Sequence, residues 1–171
     1  MIDPGYVRTM ARYNAWQNAQ LSEALDGVSL EVLRADHAAF FGSILGTLNH
    51  LLWADRVWMH RLAPDLVSAP DGSIAQSVDL CPTVGVWTAE RFATDGRIWH
   101  WAEALHALDL TGEMTIASRL AGGEATRPRA ACVIHMFNHQ THHRGQVHAM
   151  MTRSGLAAPV SDLFVMPKEN D

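Results

Sequence analysis

Four stretches of this chain carry apolar residues at helical spacing, and each is bracketed by residues that start or stop helices. Asp3 before Pro4 reads as an N-cap followed by proline at the first helical position. From there Tyr6, Met10, Tyr13, Ala15, Trp16, Leu21 and Leu25 recur until Gly27 stops the run. Ser43, after Gly42, opens a second helix that runs to Pro64 without an internal proline. Its apolar stripe holds Ile44, Leu48, Leu51, Leu52, Val57 and Met59. A third helix begins near Thr83 and continues to Leu108, with Val86, Trp87, Phe92, Ile98, Trp99 and Leu105 on its apolar side. The fourth begins near Pro128 and reaches Arg153, where Ser154 and Gly155 end it. Four such stripes bury themselves best against one another, which predicts an all-α protein, a four-helix bundle in a single domain over residues 1–171.

The connections are uneven. Residues 64–82 carry Pro, Asp, Gly and Ser throughout and read as a loop. Residues 109–129 are richer in Thr and Ile with rough alternation, broken at Ala121, Gly122 and Gly123. That pattern predicts a short β-hairpin or extended excursion before the last helix. Up-down-up-down bundles use short loops, so two long connections imply crossover or decorated links. The tail from Leu156 onward reads as irregular.

With 48% hydrophobic residues the chain has material for a substantial core. Its net charge of -5, with a single lysine at Lys168, disfavours nucleic acid or an anionic membrane surface as partner. Cys81 and Cys132 show no CxxC spacing and read as reduced thiols. The first sixteen residues lack the pattern of a signal peptide, and no apolar run reaches the roughly 18 residues of a membrane span. A cytoplasmic location is the expectation.

The chemistry concentrates in histidine. Of ten, five lie between His135 and His148. His135, His139 and His143 follow one another at four-residue intervals on the fourth helix, so their side chains share one face. Two imidazoles at that spacing can converge on one metal ion, and a further ligand must come from another helix. His50, among apolar neighbours in the second helix, is the candidate. Alone, an inward histidine is more often a satisfied core residue; opposite an HxxxH pair it gains weight as a ligand. His135 competes for the same role, and His142 is turned away but near the rim. His37, His60 and His100 read as solvated. His106 falls in the last turn of the third helix, where a cation suits the dipole, and His148 points elsewhere.

The segments LNHLLWADRVW and HMFNHQTHHRGQVHAMM together resemble the DinB-like family of metal-dependent helical proteins. The resemblance covers most of the chain. It implies an up-up-down-down four-helix bundle, usually a homodimer, in which His50, His139 and His143 hold a divalent metal, nickel or zinc. It implies thiol-dependent transferases or isomerases among the relatives, while an open metal could equally make a hydroxide nucleophile from water. The expectation is an enzyme acting on a small molecule, a transferase dependent on a low-molecular-weight thiol or a hydrolase. The alternative is a non-catalytic, stress-related dimeric module with a structural or vestigial metal.

Three neutral imidazoles with an open position form the arrangement of catalytic rather than structural sites. Ligating histidines need partners for their second nitrogen, and Asp55, Arg144 and Gln146 are the candidates, with an Asp55–Arg144 pair across the helices. The competing reading leaves Asp55 and Arg144 solvated. Cys132 lies two turns, about 10.5 Å, from His139 and is disfavoured as a ligand. The tryptophans Trp53, Trp58, Trp87, Trp99 and Trp101 read as core, with one or two free to line a cavity.

Overall fold

The computed structural model describes residues 2–118 and 122–168. Helix α1 spans Pro4–Leu25, α2 Leu30–Arg34, α3 Ile44–Leu62, α4 Val84–Ala104 and α5 Arg129–Arg153. A two-stranded antiparallel hairpin, β1 (Glu113–Ser118) and β2 (Gly123–Pro128), precedes α5. The start signals act as read. Asp3 Oδ1 accepts from the Tyr6 amide at 2.8 Å, Ser43 Oγ from Gly46 at 3.1 Å and Thr83 Oγ1 from Val86 at 3.3 Å. Each satisfies a backbone donor that the first helical turn leaves open.

Three expectations shift. The five-residue α2, capped by Ser29, is too short to show periodicity. The third long helix stops at Ala104; residues Ala107–Leu110 form a separate 3-10 turn. His106 therefore precedes that turn, its amide donating to Asp109 Oδ2 at 2.8 Å, and does not close the helix. The hairpin forms, with Ile116 opposite Ala125 and Ser118 opposite Gly123. Ala121, where the break in the pattern was placed, lies outside the described residues.

Two apolar clusters fix the directions of the helices. One gathers Val7 and Ala11 from the start of α1, Met59 and Leu62 from the end of α3, Ile98 and Trp101 from the end of α4, and Val133 and Met136 from the start of α5. The other gathers Leu21 and Leu25, Leu45 and Leu48, Trp87, and Val147 and Met150 from the opposite ends of the same helices. Hence α1 and α5 run one way, and α3 and α4 the other. The order is up-down-down-up, a correction to the up-up-down-down expectation. It also accounts for a long connection: α3 and α4 are parallel, so residues 63–83 must return the full length of a helix. No helix of the described residues is long and apolar enough to cross a membrane.

Between the two clusters lies a layer of buried polar groups. Asn14 and Asn18 enter from α1, Asp55 from α3, Arg91 and Asp95 from α4, Gln140 and Arg144 from α5. Arg91 Nη1 donates to Asp55 Oδ2 at 2.8 Å, and its Nη2 lies 2.8 Å from Asp95 Oδ1, close enough for an ion pair but poorly aligned for a hydrogen bond. Asn18 Nδ2 donates to both Asp95 oxygens at 3.1 Å. Arg144 donates to Asn14 Oδ1 and to Gln140 Oε1. Burial works against the charge of Arg91, but Asp95 and Asp55 outweigh it and hold its pKa above the ordinary value.

This layer explains a misreading of α4. Its inner face is Trp87, Arg91, Thr94, Asp95, Ile98 and Trp101, while Phe92 is 82% exposed and Val86 43%. Trp87, Ile98 and Leu105 are buried as expected, but charged residues share the inward stripe with them, so apolar periodicity misplaced Val86 and Phe92. On α1 the inward residues are Val7, Ala11, Asn14, Asn18, Leu21 and Leu25, with Tyr6 and Met10 only half-buried. The tail is irregular but tied down: Gln17 Nε2 donates to the Val160 carbonyl at 2.8 Å, and Arg12 to that of Pro167.

Candidate metal centre

At the level of the polar layer, on the edge shared by α3 and α5, the rings of His50, His139 and His143 come together. His50 reaches in from α3. His139 and His143 reach out from successive turns of α5. Each offers a ring nitrogen within 4.8 Å of the others. His50 Nε2 and His139 Nε2 are 3.3 Å apart. Nitrogens bound at roughly 2.0–2.1 Å to one zinc-like ion stand about 3–3.5 Å apart, so this pair already has the required separation.

The second nitrogens explain which ones point inward. Ser77 sits in the 3-10 turn Gln76–Asp79 of the long α3–α4 connection. Its hydroxyl donates to the Ile74 carbonyl at 2.6 Å, so it can only accept from His50 Nδ1, 3.1 Å away. That leaves His50 Nε2 with its lone pair free. Gln146 Oε1 lies 2.7 Å from His143 Nδ1, and its amide nitrogen faces His142 Nε2 at 3.3 Å. His143 Nδ1 therefore carries the proton, and its Nε2 is free. Hydrogen bonds of this kind fix the tautomer and raise ligand basicity.

Burial keeps the imidazoles neutral. His50 is lowered to about 4, by burial first and by the charge of His143 second. His139 is lowered to about 3, by burial and then by His143, His50, His135 and His142. His143 is lowered too, chiefly by burial. At neutral pH a cation would displace no proton from them, so the donor set fits a divalent ion. Three donors from rigid helices leave coordination positions open.

An aromatic wall closes one side. The Phe41 ring stacks on His50, centroids 3.8 Å apart at 20°, and meets His143 edge-on at 5.3 Å. The loop that presents it is tight: Ala39 bridges to Gly42, whose φ is +73°, a conformation glycine adopts without strain. The Phe41 carbonyl packs against α3 at Gly46, where an added Cβ would stand 2.6 Å from that oxygen. Gly46→Ala gains up to about 1 kcal/mol in helix propensity but forces an overpacked contact worth about 1–3 kcal/mol. The clash dominates, and the expected net loss is about 1–2 kcal/mol, read in a chemical melt beside the wild type.

The remaining candidates fall as follows. His135 is exposed, its ring 5.8 Å from that of His139 and 5.0 Å from Trp58, one turn beyond the cluster. His142 is exposed on the rim. His37 lies 3.4 Å from Ser154 Oγ, His60 Nδ1 lies 3.0 Å from the Val67 carbonyl, and His100 is exposed. Asp55 and Arg144 are both buried, which removes the solvated reading. Nor do they pair directly. Asp55 binds Arg91, and Asn14 stands between it and Arg144, its Nδ2 3.5 Å from Asp55 Oδ2. Arg144, lowered to about 10 by burial, acts on the polar layer and not on the histidines. Cys81 and Cys132 are free, buried thiols outside the cluster. Trp53 lies 6.1 Å from His50 and donates to the Asp71 carbonyl at 2.9 Å.

Sequence reasoning missed Ser77 and Phe41, which no spacing links to the histidines. Arg91 and Asp95 were findable, as an i, i+4 pair of opposite charge. A cavity of about 200 Å³ near the end of α4, lined by Leu62, Trp101 and Arg129, holds none of the three histidines. Ligand chemistry, not cavity size, singles out this centre.

The family model for the DinB family matches residues 1–170. No curated protein matches the chain. Among solved structures, the chain resembles a DinB-like protein from Bacillus cereus ATCC 10987, at a TM-score of 0.64 and 19% identity, over 86% of this chain and 90% of that one. At that identity the likeness concerns the fold.

Proposed function

The chain belongs to the DinB family, and from that premise we propose that it is a divalent-metal-dependent enzyme whose ion is held by His50, His139 and His143. The observation that carries the reading is that Ser77 and Gln146 hold the Nδ1 protons of two of the three rings and free their Nε2 atoms toward a shared point. A histidine merely filling a polar core needs no such arrangement. When bound, the ion supplies Lewis acidity, which lowers the pKa of a water or a thiol at an open position. The chain's own part is to orient the ligands through Ser77 and Gln146 and to shield one side with Phe41. Nickel and zinc both suit imidazole donors.

The reactions we propose are transfer dependent on a low-molecular-weight thiol, or hydrolysis, on a small molecule in a cytoplasmic homodimer built on a four-helix bundle. The competing module with a structural or vestigial metal is less well supported, because structural sites are closed by four protein ligands and only three converge among the described residues. Metal content of untagged protein by plasma mass spectrometry tests the reading. Near one equivalent is expected. No metal, even after incubation with nickel or zinc, would sink it.

A further inference from the structure

Beyond the histidines, the seam between α3 and α5 carries a strip of further aromatic and cationic side chains. His50 faces His139 and His143, whereas Trp58, further along α3, faces His135, earlier on α5. Arg61 follows His50 by three helical turns and so returns to the same face of α3. Its guanidinium lies over the Trp58 ring, 4.8 Å from the centroid. One nitrogen, Nη2, donates to the Ala117 carbonyl of β1 at 3.1 Å. The other donors of that guanidinium have no hydrogen-bond partner among the described residues, and no carboxylate there forms an ion pair with it. Glu124, paired with Ala117 across the hairpin, is not within ion-pair distance of Arg61.

A half-buried arginine with no counter-ion among the described residues is unusual. Its charge is partly desolvated, and it is held rigid from two sides, by the Trp58 face and the Ala117 carbonyl. A side chain fixed that way loses little further freedom on gripping a ligand, and its remaining edge presents N–H donors matched to a carboxylate or phosphate. Arginine on a helix leans toward the N-terminus, here toward Trp58 and the histidines. That places the guanidinium roughly 12 Å along the axis from His50. His135 is exposed beside Trp58, midway along the strip.

We propose that Arg61, seated on the buried Trp58, is the anion-binding end of an elongated substrate site, with the exposed His135 between it and the metal. The site takes a molecule carrying a metal-binding donor at one end and a carboxylate or phosphate at the other. This rests on the metal reading above and adds the substrate's length and charge. Arg61 is a specificity-determining residue and takes no part in bond making.

The test uses cobalt-loaded full-length protein and the absorption band that a thiol produces on binding cobalt. The probes are mercaptooctanoate, the neutral mercaptooctanol of equal length, and the shorter pair mercaptopropionate and mercaptopropanol. The long acid spans the strip and should bind about ten- to a hundredfold tighter than the long alcohol, the range of one charge-assisted hydrogen-bonded contact. The short pair, which cannot reach Arg61, should show no such preference. Arg61→Gln should bring the long pair within about threefold of each other and leave mercaptopropanol unchanged. Arg61→Lys keeps the charge and should retain most of the preference, which separates anion binding from loss of the contact with β1. Equal binding of the long acid and alcohol by wild type, or a preference that survives in Arg61→Gln, overturns the strip while leaving the metal reading intact. No thiol band with any probe on protein that retains cobalt also overturns the strip, whereas protein that retains no cobalt overturns the metal reading itself.

Discussion

His139→Ala is expected to abolish metal retention, with the apparent affinity falling more than about 100-fold. Removing a residue that merely orients a ligand costs about 10- to 100-fold, and His139 stands in the place of a ligand itself. Its ring stands against both of the others, 5.2 Å from that of His50 and 4.4 Å from that of His143. Without it, the two survivors offer a divalent ion a partial grip only. Untagged wild type and variant, purified side by side, are compared by plasma mass spectrometry and by titration against a competing chelator. Ser77→Ala and Gln146→Leu should fall between the two, within the 10- to 100-fold range. A full equivalent in His139→Ala would place the ion elsewhere, with His135, one turn away, as the next candidate. Because His139 is only half-buried, the chelated forms should melt close together. Loss of metal then reports on ligation and not on folding.

Arg91→Met carries the largest expected effect on stability, a loss of about 3–5 kcal/mol. Arg91 is 1% exposed and faces Asp55 and Asp95, themselves 1% and 8% exposed. Methionine leaves two buried carboxylates 2.8 Å from where their partner was, with only asparagines to answer them. Removing one member of a buried ion pair costs far more than the pair contributes, because the survivor remains desolvated. In a chain of this size each kcal/mol lowers Tm by about 2–4 °C, so the shift should exceed roughly 6 °C. The combined variant Arg91→Met, Asp55→Asn, Asp95→Asn removes the stranded charges and should recover part of the loss. A single variant that melts with the wild type would mean that the layer does not bear on stability.

The four long helices were legible in the sequence because caps and breakers are local. Asp3, Ser43, Thr83 and Gly155 act through neighbours a few residues away, and nothing in the tertiary structure overrides them. The faces of those helices were less legible. Apolar periodicity assumes an apolar interior, and here Asn14, Asn18, Arg91 and Asp95 point inward while Phe92 points out. The direction of α4 was not legible either, since it depends on the path taken by residues 63–83. Within the candidate centre, His139 and His143 were set by spacing on one helix. His50 needed the packing of α3 on α5, and Gln146 falls three residues after His143, where one helix turn brings them together. Ser77 is supplied by a connection whose course no local rule determines, so it could not be read.

The ionic layer has a further consequence for motion. It divides the interior into two apolar compartments, one at the hairpin end and one at the end that holds α2. Regions with separate apolar cores can open locally at different free energies. A fluctuation that loosens Trp58, Leu62 and Val133 must disturb Arg91 and its carboxylates before it reaches Leu48 and Met150. The proposed anion grip belongs to the hairpin compartment, and the three histidines stand level with the dividing layer. One half of the molecule can therefore breathe to admit a ligand while the imidazoles stay where α3 and α5 hold them.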